Sequence, residues 1–219
     1  MATLLLRLSA PLQSWGIQSD YVERDTGREP SKSGVIGLLC AALGRPRTAP
    51  LSDLTRLRMG LRVDQEGVVR ADYHTAGKGG YYKVDGGVER NRLITSNRAY
   101  LHDARFLVGL EGDWDMLSSL QHALMRPTWF LFLGRKACIP SERIWLPDGL
   151  QDLSLITALQ RYPWLGNSST PPERLRLMIE DPNGAMIRND QPISFVPRRY
   201  MPRRITVSSV MLPSNQAEE

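Results

Sequence analysis

The sequence predicts an α+β fold: a ferredoxin-like (RRM-like) βαββαβ body with an inserted β-hairpin, followed by a small β-rich C-terminal region. Three observations predict it. Over the first 134 residues, short apolar runs with strand character alternate with two helical patterns in the order β-α-β-insert-β-α-β. Residues 71–100 hold five glycines and four tyrosines among polar and basic residues, too polar for core and suited to a projecting hairpin or a mobile loop. Beyond Pro140, prolines 147, 163, 171 and 172 cut the chain into short pieces, of which 174–180 (RLRLMIE) and 204–210 (RITVSSV) read as strands. The expected division is 1–140 for the body with its insert and 141–219 for the β-rich remainder.

Residues 3–8 (TLLLRL) form an apolar run that reads as the first strand; with no basic stretch ahead of it, a secretion signal is not expected. PLQSWG at 11–16 punctuates the chain, and 17–31, with Gly27 and Pro30, reads as a loop. KSGVIGLLCAALG at 32–44 carries little charge, a cap in Ser33 and a stop in Gly44 with Pro46, which predicts a buried helix. Its Gly34, Gly37, Ala41 and Ala42 permit close packing. LRMGLRV at 57–63 alternates, placing Arg56, Arg58 and Arg62 on one face and Leu57, Met59, Leu61 and Val63 on the other. ARFLVGL at 104–110 is a strand. Asp113 caps a helix over 114–125 in which Trp114, Leu117, Leu120 or Gln121, and Leu124 recur at helical spacing. TWFLFL at 128–133 is the expected fourth strand, ended by Gly134.

With 219 residues, 42% hydrophobic and 23% charged, the chain has the composition of an ordinary globular protein, which excludes extended disorder and a disulfide-stapled miniprotein. No apolar run approaches the roughly 20 residues that span a bilayer, so no membrane association is expected. Two distant cysteines supply neither a disulfide framework nor a zinc knuckle, and a cytoplasmic protein is expected. The net charge is +5, and of 28 basic residues only four are lysine. Arginine forks onto phosphates and stacks on bases, which suits nucleic acid; a genome that favours arginine codons gives the same composition.

Motifs for metal or nucleotide hydrolysis are absent and the acidic residues are scattered, so no metal and no cofactor are expected. His74, in DYHT at 72–75, is the one acid–base candidate. With Tyr73 and Lys78 it has the groups a metal-free ribonuclease needs, and its plainer alternative is a hydrogen-bonding residue at the root of the hairpin. The turn Gly134-Arg135-Lys136 offers close backbone approach and two cations for a phosphate, or is simply a solvated turn. Trp15 is either core or a stacking platform. In the insert, Tyr81, Tyr82, Lys83, Arg90, Arg92, Arg98 and Tyr100 interleave aromatics with cations, as single-strand binding requires. FVPRRYMPRR at 195–204 adds four arginines within seven positions.

Four features recur in one order: PLQSWG after the first strand, PSKSGVIGLLCAALG on the first helix, DYHT opening an insert that closes at AYLHDARFLVGL, and FLGRKACIP. This order resembles the CasD family. These are the subunits of bacterial type I-E Cascade surveillance complexes, within the repeat-associated mysterious protein superfamily, that hold the five-prime handle of the CRISPR RNA (crRNA). The resemblance covers residues 1–145. It implies a non-catalytic RNA-binding subunit, partnered by backbone, large, small and RNA endonuclease subunits, and meeting target DNA only through the complex. The insert becomes a thumb pressed across the guide and packed on a backbone subunit. On the motif positions, Arg24, Lys32, Arg135 and Lys136 would take phosphates, together with the helix amides near Ser33 and Gly34. Gln13, Trp15 and Tyr73 would contact bases or sugars. His74, Lys78, Arg90, Arg92, Arg98 and Tyr100 would line the thumb. In a related subtype the counterpart cuts the precursor, which keeps a His74 endoribonuclease as the alternative.

Overall fold

The computed structural model describes residues 1–16, 22–168 and 170–212. In chain order its elements are β1 (Ala2–Ser9), β2 (Leu12–Gln13), β3 (Glu23–Arg24), α1 (Lys32–Leu43), α2 (Ser52–Thr55), β4 (Arg58–Gln65), β5 (Val68–Ala76), β6 (Tyr81–Tyr82), β7 (Val88–Glu89), β8 (Ile94–His102), β9 (Arg105–Gly112), α3 (Trp114–Met125), β10 (Trp145–Gln151), α4 (Leu155–Arg161), β11 (Arg174–Glu180), β12 (Met186–Phe195) and β13 (Arg198–Met211). Seven strands form one antiparallel sheet in the order β10-β1-β9-β4-β11-β13-β12. The strands beyond residue 140 therefore extend the same sheet at both ends.

Both faces of the sheet are covered. Leu4, Leu6 and Leu8 of β1 join Met59, Leu61, Val63, Phe106 and Val108 beneath α1 and α3. Leu5, Leu107, Leu177 and Ile179 lie with Leu155, Ala158 and Leu159 of α4 on the opposite side. Two-sided burial is why β1 reads as an unbroken apolar run instead of an alternating one. Gly60 and Gly109 are cross-strand partners, and a Cβ on either would come within 2.7 or 2.6 Å of a leucine of α4. This pair of glycines lets α4 settle onto the sheet.

That second layer corrects the expectation for Arg62. Alternation groups Arg62 with Arg56 and Arg58, but α4 and the segment after it cover Arg62, which is fully buried. Its guanidinium pairs with Asp64 at 2.7 Å and donates to the carbonyls of Leu159, Tyr162 and Pro163. Helix α1 forms where expected, with Gly44 left-handed at its end, but its cap is Ser31, whose hydroxyl accepts from the Gly34 amide, and not Ser33. Asp113 caps α3 as expected.

The expected strand at 128–133 does not form. Thr128 and Trp129 donate their amides to the carbonyls of Ala42 and Ala41 at the end of α1, and Leu133 donates to Cys138. The segment thus closes α1 instead of joining the sheet, and the place beside β1 goes to β10. Pro147 and Gly149 hide β10 in the sequence; both are tolerated because it is an edge strand. The insert is a hairpin: β5 and β8 pair over nine positions, from Val68↔His102 to Ala76↔Ile94, with the β6–β7 pair in the tip. β8 also pairs with β2 and β3, which roots the hairpin on the loop after β1. Part of the loop expected at 17–31 lies outside the described residues.

Candidate nucleic-acid interface

Three motifs far apart in sequence meet at one place. Gly134 has φ +100°, and a Cβ there would lie 1.8 Å from the Ser14 carbonyl oxygen, so only glycine seats the GRK turn against the PLQSWG loop. The Ser14 amide donates to the Leu133 carbonyl at 3.0 Å. On the other side Trp15 lies against α1, where a Cβ on Gly34 would be 2.9 Å from its ring.

Between α1 and the 129–134 segment runs an open groove of about 530 Å³. Gly34, Gly37 and Ala41 of α1 line one side. Trp129 and Phe130, 48% and 87% exposed, line the other, and Phe195, Arg198 and Tyr200 of the β12–β13 hairpin border it together with Arg45 and Arg47. Exposed aromatics interleaved with arginines offer faces for unpaired bases and charges for phosphates. Arg45 is held by Asp53, which raises the guanidinium's proton affinity above the ordinary, and Arg47 donates to the Phe195 carbonyl. Arg198 is exposed and has no carboxylate partner among the described residues.

The sequence-expected residues divide into exposed ones and ones engaged with the protein itself. Gln13 and Trp15, expected to contact bases or sugars, are buried. The Trp15 indole N–H donates to the Gln13 side-chain oxygen at 2.9 Å, and the Gln13 amide donates to the Ala104 carbonyl at 2.7 Å. Lys32, expected to take a phosphate, is buried as well. Its side chain is 1% exposed, and its ammonium bonds the Glu180 carboxylate at 2.8 and 2.9 Å. Burial lowers its proton affinity and the Glu180 contact only partly restores it. The helix amides expected to receive a phosphate are largely taken: the Lys32 amide by Asp190 at 2.9 Å and the Gly34 amide by Ser31 at 3.1 Å. Ser33 and Gly34 themselves line the groove.

Arg135, expected to take a phosphate, is engaged with the protein itself. Its guanidinium donates to the carbonyls of Ala99, Arg24 and Asp25 at 2.9, 2.9 and 3.0 Å, and lies 4.7 Å from the centre of the buried Tyr100 ring. It pins the GRK turn, β3 and the hairpin root together. Lys136 beside it is exposed. On the hairpin, Tyr73 is 68% exposed, and Lys78, Arg90 and Arg92 are exposed at or near the tip. The His74 ring nitrogen Nδ1 lies 3.3 Å from the Asp72 carboxylate, both side chains about half exposed. Arg98 donates to the Ser96 hydroxyl at 3.1 Å.

The sequence did not single out Trp129, Phe130, Phe195, Arg198 or Tyr200 individually. A signal was present in TWFLFL immediately before GRK, but an aromatic run reads as a buried strand until the structure shows it outside the sheet.

Comparison with known proteins identifies the family. The sequence model of a family described as CRISPR-associated protein (Cas_Cas5) matches residues 3–207. The Cascade subunit CasD of Escherichia coli K12 is 33% identical over 150 residues, 62% of this chain and 66% of that protein. A crystal structure of a Cas protein is 42% identical with a TM-score of 0.80, covering 96% of this chain and 97% of the other. A chain of a CRISPR RNA-guided surveillance complex is 32% identical with a TM-score of 0.85, covering 97% and 91%. The described helices include none long and apolar enough to cross a membrane. With the family's pattern running through both ends of the sheet and all three motifs around the groove, the chain belongs to the CRISPR-associated Cas5 family.

Proposed function

We propose that this chain is the subunit of a type I-E Cascade surveillance complex that holds the five-prime handle of the crRNA without cutting it. The observation that carries the reading is the groove. Exposed Trp129 and Phe130 stand across from a helix wall of small residues, with Arg198 at one border and the GRK turn at its end. Handle bases unstack and lie on these rings, while Lys136, Arg198 and the hairpin cations follow the phosphates. Gln13, Trp15, Lys32 and Arg135 act one layer back, holding the three motifs in register. The strand order β10-β1-β9-β4, with α1 and α3 on one face, supports the ferredoxin-like reading of the body. The hairpin acts as the thumb, projecting toward a backbone subunit, and the large subunit is the other neighbour. The complex works in the cytoplasm and brings the chain to target DNA.

The test is handle affinity of Phe130→Ala, measured against an unrelated strand of equal length. Stacking is worth about 1–3 kcal/mol per base, so handle affinity falls by roughly 5- to 100-fold while the weaker affinity for the unrelated strand changes little. Parental handle affinity removes the groove from the reading, and equal losses on both strands make the protein a general RNA binder. His74→Ala leaves precursor RNA processing unchanged; cleavage of repeat RNA without metal, abolished by that substitution, favours the ribonuclease alternative.

A further inference from the structure

Three strands of seven or more residues lie at a sheet edge in the described fold: β10 and β12 at the ends of the large sheet, and β5 on the outside of the hairpin. An open edge presents a row of unpaired N–H and C=O groups, and proteins blunt such edges with proline, bulges or burial. β10 carries Pro147 and a register break opposite β1. β12 carries Pro192 and two register breaks opposite β13. β5 carries none of these: nine residues without proline or glycine pair with β8 without a break, and all nine are exposed. Alternation puts Arg70, Asp72 and His74 on one face and Val69, Ala71, Tyr73 and Thr75 on the other, so half of the strand is uncharged. Two edges are closed to pairing, and the third is straight, regular and uncovered.

We propose that the free edge of β5 is a strand-addition site, along which an extended segment of another protein subunit pairs from Val68 to Ala76. This rests on the multi-subunit reading above and adds the mode of contact. The occupant is a polypeptide because only an extended backbone answers donors and acceptors alternating at strand spacing. The nine residues give roughly 30 Å of edge. The uncharged face favours β-branched and aromatic partners opposite Val69, Tyr73 and Thr75.

The test compares residue-resolved amide hydrogen exchange of β5 in the isolated chain and in the purified complex. In an antiparallel pair alternate amides face the partner strand, so one set in β5 is already protected by β8 and the other points outward. The outward set slows at least about tenfold on assembly, and the inward set changes little. Proline at an outward position, which an edge strand tolerates, leaves the isolated chain folded and lowers recovery of the complex about tenfold; Asn189→Pro, in the register break of edge strand β12, does not. If the complex forms and retains its guide while outward β5 amides exchange as in the isolated chain, strand addition is wrong and the handle reading stands. If the isolated chain already shows the protection and has the mass of a dimer, the occupant is a second copy and the proposal fails. If no complex forms, the proposal falls together with the reading beneath it.

Discussion

Arg135→Gln distinguishes a pin from a phosphate ligand. The wild-type guanidinium makes three hydrogen bonds to backbone carbonyls at 2.9, 2.9 and 3.0 Å and stacks on Tyr100 at 4.7 Å. Hydrogen bonds of this kind are worth about 0.5–1.5 kcal/mol each and a partly exposed cation–π contact about 0.5–1, so with non-additivity the loss is about 2–4 kcal/mol. For a chain of this size that lowers Tm by about 5–15 °C. The second measurement is handle-RNA affinity by fluorescence anisotropy between about 50 and about 300 mM salt. Each lost phosphate contact to a single strand reduces the slope of log K against log salt by about 0.7. Arg135→Gln lowers Tm and leaves that slope unchanged. Exposed Lys136→Gln does the reverse, losing about 0.7 in slope at parental Tm. An Arg135→Gln protein with parental Tm and a slope reduced by about 0.7 refutes the pin and returns Arg135 to the phosphates.

Gly134→Ala places a methyl on the Ser14 carbonyl at a positive φ and costs about 3 kcal/mol or more; a parental melting curve contradicts that contact. Arg62→Met leaves Asp64 buried without its cation and three carbonyls without their donor, a loss of about 3–5 kcal/mol in urea unfolding; a loss below about 1 kcal/mol contradicts the buried network. Burial pushes the Glu29 carboxyl up, but its bonds to Arg188 and Arg176 outweigh this and hold it below its ordinary 4.5. That stabilisation is complete above the ordinary value and is lost as pH falls below it toward the folded one. Glu29→Gln is therefore less stable at neutral pH and has a shallower acid limb; parallel pH profiles of the two proteins contradict the pairing.

The fold was legible where local chemistry agrees with tertiary placement. The capping carboxylate of Asp113, the left-handed Gly44 and the apolar run of β1 each state their structure within a few residues. TWFLFL misled because strand propensity does not say what lies alongside, and here the nearest free groups are the last carbonyls of α1. β10 was hidden by Pro147, which reads as a break although an edge strand accommodates it, and β12 accommodates Pro192 in the same way. The motifs marked in the sequence meet in the fold, and several of their charged members are engaged with the protein itself. Lys32 and Arg135 carry the charge a phosphate wants, but Glu180, 148 residues away, and the Ala99 carbonyl claim them first. Trp129 and Phe130 are exposed because their segment stays outside the sheet, which no local pattern announces.

The central claim is that the groove holds the leading segment of a guide RNA. The most direct measurement is nuclease protection of that segment in the complex purified through this chain, comparing the parental protein with Phe130→Ala. The account predicts that the parental complex shields the repeat-derived handle and that the substitution exposes it while the spacer stays covered. A parental complex whose handle is cut as fast as in free RNA contradicts the account.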